Sequence, residues 1–315
     1  MAAFSDDFFG LFGRRTLLGA ASIAGLALLG HASARKVVPL WPAKPPGGGG
    51  PDGPEQISGG AVSNISQPRL EVFTPARPNA ARPNGAAVLV AGGGGYREIQ
   101  MRHEAHPAAR FLAAQGITAF VLTYRLPGEG WAAGRLAPFQ DAQRALRIIR
   151  AQMPGGKIGV LGFSAGGHLM GIAAMRPDFR FYAPLDALDA QSSRPDAAAL
   201  IYPVITLEPP YDQILVCKAL FGAHPSAALS AAWSVQNYVH TGAPPVFLAQ
   251  ALDDPIVNPA NCKIMAAACR NADVPAALHW LPSGGHGFGM GRPGSPTGLW
   301  PGWYQTWLQA QGFSD

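Results

Sequence analysis

Gly162-Phe163-Ser164-Ala165-Gly166 places a serine within a run of small residues. It follows an apolar stretch, residues 157–162, and leads into a helix-forming one, residues 165–175. A strand-to-helix turn this tight tolerates only small neighbours, which accounts for Gly162, Gly166 and Gly167. It lifts the Ser164 hydroxyl clear of the backbone and aims the amino end of the helix at the reaction centre. A serine hydroxyl is a weak nucleophile until a base takes its proton, and the base needs a carboxylate to orient it. Both follow later in the chain. His286 lies in Gly284-Gly285-His286-Gly287-Phe288, where flanking glycines leave the loop free to place an imidazole. Asp253-Asp254-Pro255-Ile256-Val257 follows a second apolar run, residues 246–250. Val257 would anchor the loop beside a fixed carboxylate, so Asp254 is the expected acid and Asp253 the reserve.

Acyl transfer also needs donors for the developing oxyanion. Gly92-Gly93-Gly94-Gly95-Tyr96 follows the apolar run 86–91, and glycine lets backbone amides approach a tetrahedral centre closely. The expected donors are Gly94, Gly95 and the amide of Ala165. The scheme requires no metal and no cofactor.

These loops need a scaffold. Strands are expected at residues 70–74, 86–91, 117–123, 157–162, 197–202, 246–250 and 276–281. Helices are expected at 106–115, 139–152, 165–175, 212–220, 260–272 and 302–311. Phe139, Ala142, Leu146 and Ile149 keep the spacing of one buried helix face. Several strands are apolar without alternation, as strands covered on both faces are. The alternation predicts an α/β fold: a mostly parallel sheet with helices on both faces.

The chain of 315 residues is 48% hydrophobic and 14% charged, which excludes disorder throughout. The formal net charge of +5 is scattered, with no run of Lys and Arg, so nucleic-acid binding is not expected. Arg14-Arg15-Thr16-Leu17-Leu18 precedes an apolar run to Leu29, followed by His31-Ala32-Ser33-Ala34. That layout predicts residues 1–34 as a twin-arginine export signal cleaved after Ala34, and hence a periplasmic or secreted protein. The alternative is an uncleaved membrane anchor, but the run is shorter than the ~20 residues of a spanning helix and broken by glycines, so no stable membrane insertion is expected after cleavage. Residues 35–64 read as a Pro/Gly-rich arm and 65–315 as the catalytic domain. Cys262 and Cys269 lie seven apart in one expected helix, about 10 Å, too far to bridge each other. A bridge from Cys217 to either, or three reduced thiols, stays open. The oligomeric state is not legible.

Other signals weigh less. In His103-Glu104-Ala105-His106 the histidines are three apart and Pro107 follows, which suits a helix start or a contact near the site entrance better than zinc. His168 reads as structural. Gly289, Gly291 and Gly294 match dinucleotide-loop spacing, but Pro293 intrudes. Trp131, Trp300 and Trp303 read as core residues or as platforms for a sugar ring.

The motifs together resemble α/β-hydrolase esterases of the acetyl xylan esterase and related carbohydrate-esterase type. The likeness runs through Leu40-Trp41-Pro42, Gly92–Tyr96, Tyr124-Arg125-Leu126, Asp141 with Ala145, and Gly162–His168. It continues through Tyr202-Pro203-Val204-Ile205, Asp253–Val257 and Gly284–Gly289. It implies an α/β-hydrolase fold and a Ser164, Asp254, His286 triad that removes short acyl groups, usually acetyl, from sugars. It also implies that residues 36–50 pack on the domain. Ala91-Gly92 departs from the proline or histidine that often opens this loop in the family. A general carboxylesterase or lipase, a serine peptidase and a catalytically silent binding protein are the alternatives.

Overall fold

The computed structural model describes residues 36–76 and 85–314, so the expected export signal lies outside the described residues. Eleven strands run in chain order: β1 (Lys36–Pro39), β2 (Gln56–Ser58), β3 (Ala61–Ser63), β4 (Arg69–Phe73), β5 (Ala87–Ala91), β6 (Ile99–Gln100), β7 (Thr118–Thr123), β8 (Ile158–Phe163), β9 (Ala197–Ile201), β10 (Val246–Ala251) and β11 (Ala276–Leu281). The α-helices are α1 (His106–Ala114), α2 (Ala137–Gln152), α3 (Ala165–Met175), α4 (Leu215–Phe221), α5 (Ala227–Ala231), α6 (Ala260–Asn271) and α7 (Trp300–Ala310).

Eight strands form one sheet in the order β1-β4-β7-β5-β8-β9-β10-β11. The six from β7 to β11 are parallel, while β4 pairs antiparallel with β7 and β1 antiparallel with β4. Every residue of β5, β7, β8, β9 and β10 is buried, which requires cover on both faces of the sheet. Their Val, Leu, Ile, Phe and Ala side chains are the core. This is the α/β-hydrolase fold. A second sheet, β2-β3-β6, is antiparallel and sits at residues 56–63 and 99–100.

The Pro/Gly-rich stretch is tied down at several points. β1 supplies the edge strand, and Leu40 and Trp41 are buried behind it. Trp41 Nε1 donates to Asp141 Oδ1 at 2.8 Å, and Asp141 forms a fully buried ion pair with Arg125 at 2.9 Å. Burying both charges is tolerable only because each finds further partners: the Arg125 amide donates to Asp141, and Gln140 takes the guanidinium. Arg125 Nη1 also donates to the Pro46 carbonyl at 3.3 Å. Gly50 has to be glycine, since a Cβ there would lie 2.5 Å from the Trp131 ring.

Cys217, Cys262 and Cys269 are all buried and free, so none of the open pairings is made. Burial, with the nearby Asp254 charge, pushes the Cys262 thiol well above its ordinary range, and burial pushes Cys269 up to about 11, which keeps both as inert core residues. Among the described residues no helix is long and apolar enough to cross a membrane.

Candidate active site

β8 ends at Phe163, and Ser164 takes φ 51°, ψ −117° before α3 begins at Ala165. A non-glycine residue in that region is strained, and here the fold enforces it. A Cβ on Gly162 would lie 2.2 Å from the Gly166 carbonyl oxygen, and one on Gly166 would lie 2.3 Å from that of Ala91. The turn therefore closes only with hydrogen at both positions. Ser164 N donates to the Ile201 carbonyl, which ties the elbow to β9.

The loop after β11 delivers His286, and its Nε2 stands 2.9 Å from Ser164 Oγ. The loop after β10 delivers Asp254, whose Oδ2 is 2.7 Å from His286 Nδ1. Asp254 Oδ1 accepts from the amides of Ile256 and Val257, both at 2.9 Å, and Gln250 Nε2 donates to Oδ2 at 2.9 Å. Burial pushes this carboxyl up, but His286 and the Val257 and Ile256 amides outweigh it and hold it below the usual carboxylate range. Asp254 is thus an ionised acceptor, positioned to keep the imidazole proton on Nδ1 and the Nε2 lone pair facing the serine. Asp253 points elsewhere and accepts from the Gly285 amide at 2.8 Å.

Gly94 and Gly95 line a cavity of about 320 Å³ together with Ser164 and His286. The amides of Gly94, Gly95 and Ala165 have no acceptor among the described residues; that of Ala165 is at the start of a helix, where no intrahelical acceptor exists. Gly93 is different: its amide donates to Glu104 Oε2 at 2.5 Å. A Cβ on Gly93 would lie 2.8 Å from that of Ser164. The loop is braced further by Tyr124, whose hydroxyl donates to the Gly92 carbonyl at 2.9 Å. Six aliphatic side chains also line the cavity: Val204, Ile214, Leu215, Val216, Ile256 and Val257.

Of the weaker sequence signals, His168 is fully buried between the Tyr96 hydroxyl (2.9 Å) and the Trp233 carbonyl (2.7 Å). Burial brings its pKa down to about 4, so it is neutral, donates from Nε2 to Trp233 and accepts from Tyr96 at Nδ1. Trp300 is buried in the core with Nε1 on the Gly289 carbonyl, and Trp303 stacks on His279. Trp131 is buried under Gly50. The His103–His106 segment forms a π-helical turn, Met101–Ala105, ahead of α1. His106 approaches Glu71 at 3.2 Å, His103 borders the cavity, and Glu104 turns inward. Among the described residues no group of three or more His, Cys, Asp or Glu side chains could hold a metal ion. Glu104 is the functional-site residue that sequence reasoning passes over. Its only signal is a carboxylate between two histidines, in a segment read as a helix start or a contact near the site entrance.

The model of the BD-FAE family matches residues 70–269 of this chain. The acetylxylan esterase of Xylanibacter ruminicola is 32% identical over 218 residues, 66% of this chain and 42% of that protein. Endo-1,4-beta-xylanase B of Butyrivibrio fibrisolvens is 33% identical over 205 residues, 64% of this chain and 32% of that one. The chain therefore spans less than half the length of either relative. Among solved structures, the acetyl ester-xyloside bifunctional hydrolase of Caldicellulosiruptor lactoaceticus superposes with a TM-score of 0.73 at 31% identity, covering 89% of this chain and 97% of that one.

Proposed function

Because the chain belongs to the BD-FAE family, we propose that it is an exported serine esterase that removes short acyl groups, acetyl foremost, from carbohydrates such as acetylated xylan. In this reading Ser164 Oγ attacks the ester carbonyl while His286 Nε2 takes its proton. Asp254 holds the imidazole in the required tautomer and stabilises the imidazolium that forms. The amides of Gly94, Gly95 and Ala165 donate to the oxyanion. His286 then returns the proton to the leaving sugar oxygen, and water, activated by the same imidazole, hydrolyses the acyl-enzyme. The twin-arginine pattern of residues 14–18 is the basis for placing the enzyme in the periplasm or outside the cell.

The observation that carries this reading is the hydrogen-bonded series Ser164–His286–Asp254, at 2.9 and 2.7 Å, beneath a cavity edged by uncommitted amides. The sugar specificity leans on what the two named relatives and the Caldicellulosiruptor hydrolase are said to act on. A second reading, a general carboxylesterase, is favoured by one feature: six aliphatic side chains line a cavity of about 320 Å³, more room than an acetyl group fills. Hydrolysis of p-nitrophenyl esters from acetate to octanoate, beside acetate release from acetylated xylan, separates the two. A rate maximum at acetate with acetate freed from xylan supports the carbohydrate esterase. A maximum at longer chains with xylan untouched replaces it with the general carboxylesterase.

A further inference from the structure

Glu104 is a buried carboxylate that the scheme above does not use, and among the described residues no Lys or Arg pairs with it. Its Oε2 accepts from the Gly93 amide at 2.5 Å, and its Oε1 accepts from the Tyr202 hydroxyl at 2.8 Å. The Tyr202 oxygen in turn accepts from the Gly289 amide at 3.0 Å, and the Gly289 carbonyl takes the Trp300 indole at 3.1 Å. The Tyr202 ring also packs edge-on against His286, with centroids 5.0 Å apart. One carboxylate thus joins the loop of Gly93–Gly95 to the loop that carries His286. Both of its oxygens accept, which is the pattern of an ionised group. Burial raises its protonation range above that of an ordinary carboxylate, and the Gly93 amide, the Tyr202 hydroxyl and nearby His286 oppose that push without cancelling it.

Backbone bonds close the glycine loop at its carbonyls, from the Gln100 amide to Gly93 and from the Arg97 and Glu98 amides to Gly94, while the Gly94 and Gly95 amides have no acceptor among the described residues. Gly94 and Gly95 sit at φ +117° and +63°, and glycine carries the largest backbone freedom to be restrained. Donors stabilise an oxyanion well only when they are fixed before the reaction begins. With the Gly93 amide tied to Glu104, Gly94 and Gly95 line the cavity with amides that no described residue accepts. We infer that Glu104 is a positioning residue of the ester-hydrolysing site: its carboxylate aims the Gly94 and Gly95 amides and, through Tyr202, seats the His286 loop. The inference rests on the proposed function, in that Ser164 must be the nucleophile of an esterase.

The test uses the full chain and p-nitrophenyl acetate, with Glu104→Gln as the main variant and Tyr202→Phe as the second. A glutamine cannot accept at both oxygen positions, so kcat should fall roughly 100-fold with KM within about threefold. The Ki of an acetyl-type trifluoromethyl ketone, which forms a tetrahedral oxyanion on serine, should rise by the same factor as kcat/KM falls. Tyr202→Phe should lower kcat roughly tenfold. A folded Glu104→Gln enzyme with kcat within twofold of wild type, or with reduced kcat and unchanged ketone Ki, overturns the inference. Should Glu104→Gln fail to fold, an unaltered kcat in Tyr202→Phe overturns it instead. An inert wild type sinks both this and the proposed function. An active wild type silenced by Ser164→Ala, with Glu104→Gln undiminished, sinks only the positioning role.

Discussion

Replacing Asp254 and Asp253 by asparagine, one at a time, separates two carboxylates that are neighbours in sequence and differ in environment. Asp254 Oδ1 is committed to the amides of Ile256 and Val257, so an asparagine there must keep its oxygen at that end. Its amide nitrogen then occupies the Oδ2 position, facing His286 Nδ1 at 2.7 Å and the Gln250 amide at 2.9 Å. Two donors cannot face each other, so the imidazole shifts its proton to Nε2, the nitrogen that faces Ser164. The resting enzyme then has no base. The expected loss in kcat is roughly 10³- to 10⁴-fold, or about 4–5.5 kcal/mol of transition-state stabilisation. The Gln250 amide keeps its bond to the Ala251 carbonyl at 3.1 Å but loses the Asp254 acceptor, which adds a stability cost of about 1–3 kcal/mol. Asp253 accepts from the backbone amides of Gly285 and Gly284 and does not touch His286, and an asparagine oxygen can serve those amides in its place. Asp253→Asn should stay within about threefold of wild type. Initial rates on p-nitrophenyl acetate, with circular dichroism to establish folding, give both numbers. Asp254→Asn within tenfold of wild type, or Asp253→Asn the slower of the two, would refute the reasoning.

Other perturbations follow from the same contacts. A Cβ at Gly93 would meet the Ser164 Cβ at 2.8 Å and the Phe163 carbonyl at 2.9 Å, so Gly93→Ala should displace the loop, lower kcat roughly 100-fold and cost about 1–3 kcal/mol in urea unfolding. His168 is held at a pKa of about 4 by burial against an ordinary 6.5, so the unfolded chain takes up a proton that the fold refuses. Its contribution is therefore present above pH 6.5 and lost as pH falls toward 4, up to about 3 kcal/mol across that window, and a His168→Gln chain should show a shallower stability slope there. Trp41→Phe removes the indole donor from buried Asp141, which should cost about 1.5–3 kcal/mol in unfolding while leaving kcat within about twofold.

The parts that sequence discloses are those whose physics is local. A serine between glycines can be read from the few residues that must avoid one another in the turn: Gly162 meets its clash at Gly166 inside that turn, although Gly166 itself answers to the Ala91 carbonyl at the end of β5. The buried strands are legible because apolar runs without alternation have one explanation; β8 and β10 differ from expectation by a residue or so at their ends. β1, β2, β3 and β6 are another matter. They are two to four residues long, lie at edges or in the small sheet, and carry too few side chains to show a period. The Pro/Gly-rich stretch shows why composition misleads here. Its order comes from Trp41, Asp141 and Arg125, up to 100 residues apart in the chain. Glu104 is hidden for the same reason: its partners are Gly93, which is near, and Tyr202, which is 98 residues away. A buried carboxylate with only hydrogen-bond donors around it leaves no pattern in the primary sequence.

The account stands most directly on Ser164 as the nucleophile. The deciding measurement is intact-protein and peptide mass spectrometry after treatment with a fluorophosphonate, followed alongside loss of p-nitrophenyl acetate hydrolysis. One adduct per chain, on Ser164, forming in step with inactivation and absent from a folded Ser164→Ala chain, is the predicted result. Hydrolysis that persists with Ser164 fully modified, or inactivation that tracks a label on another residue, would contradict it.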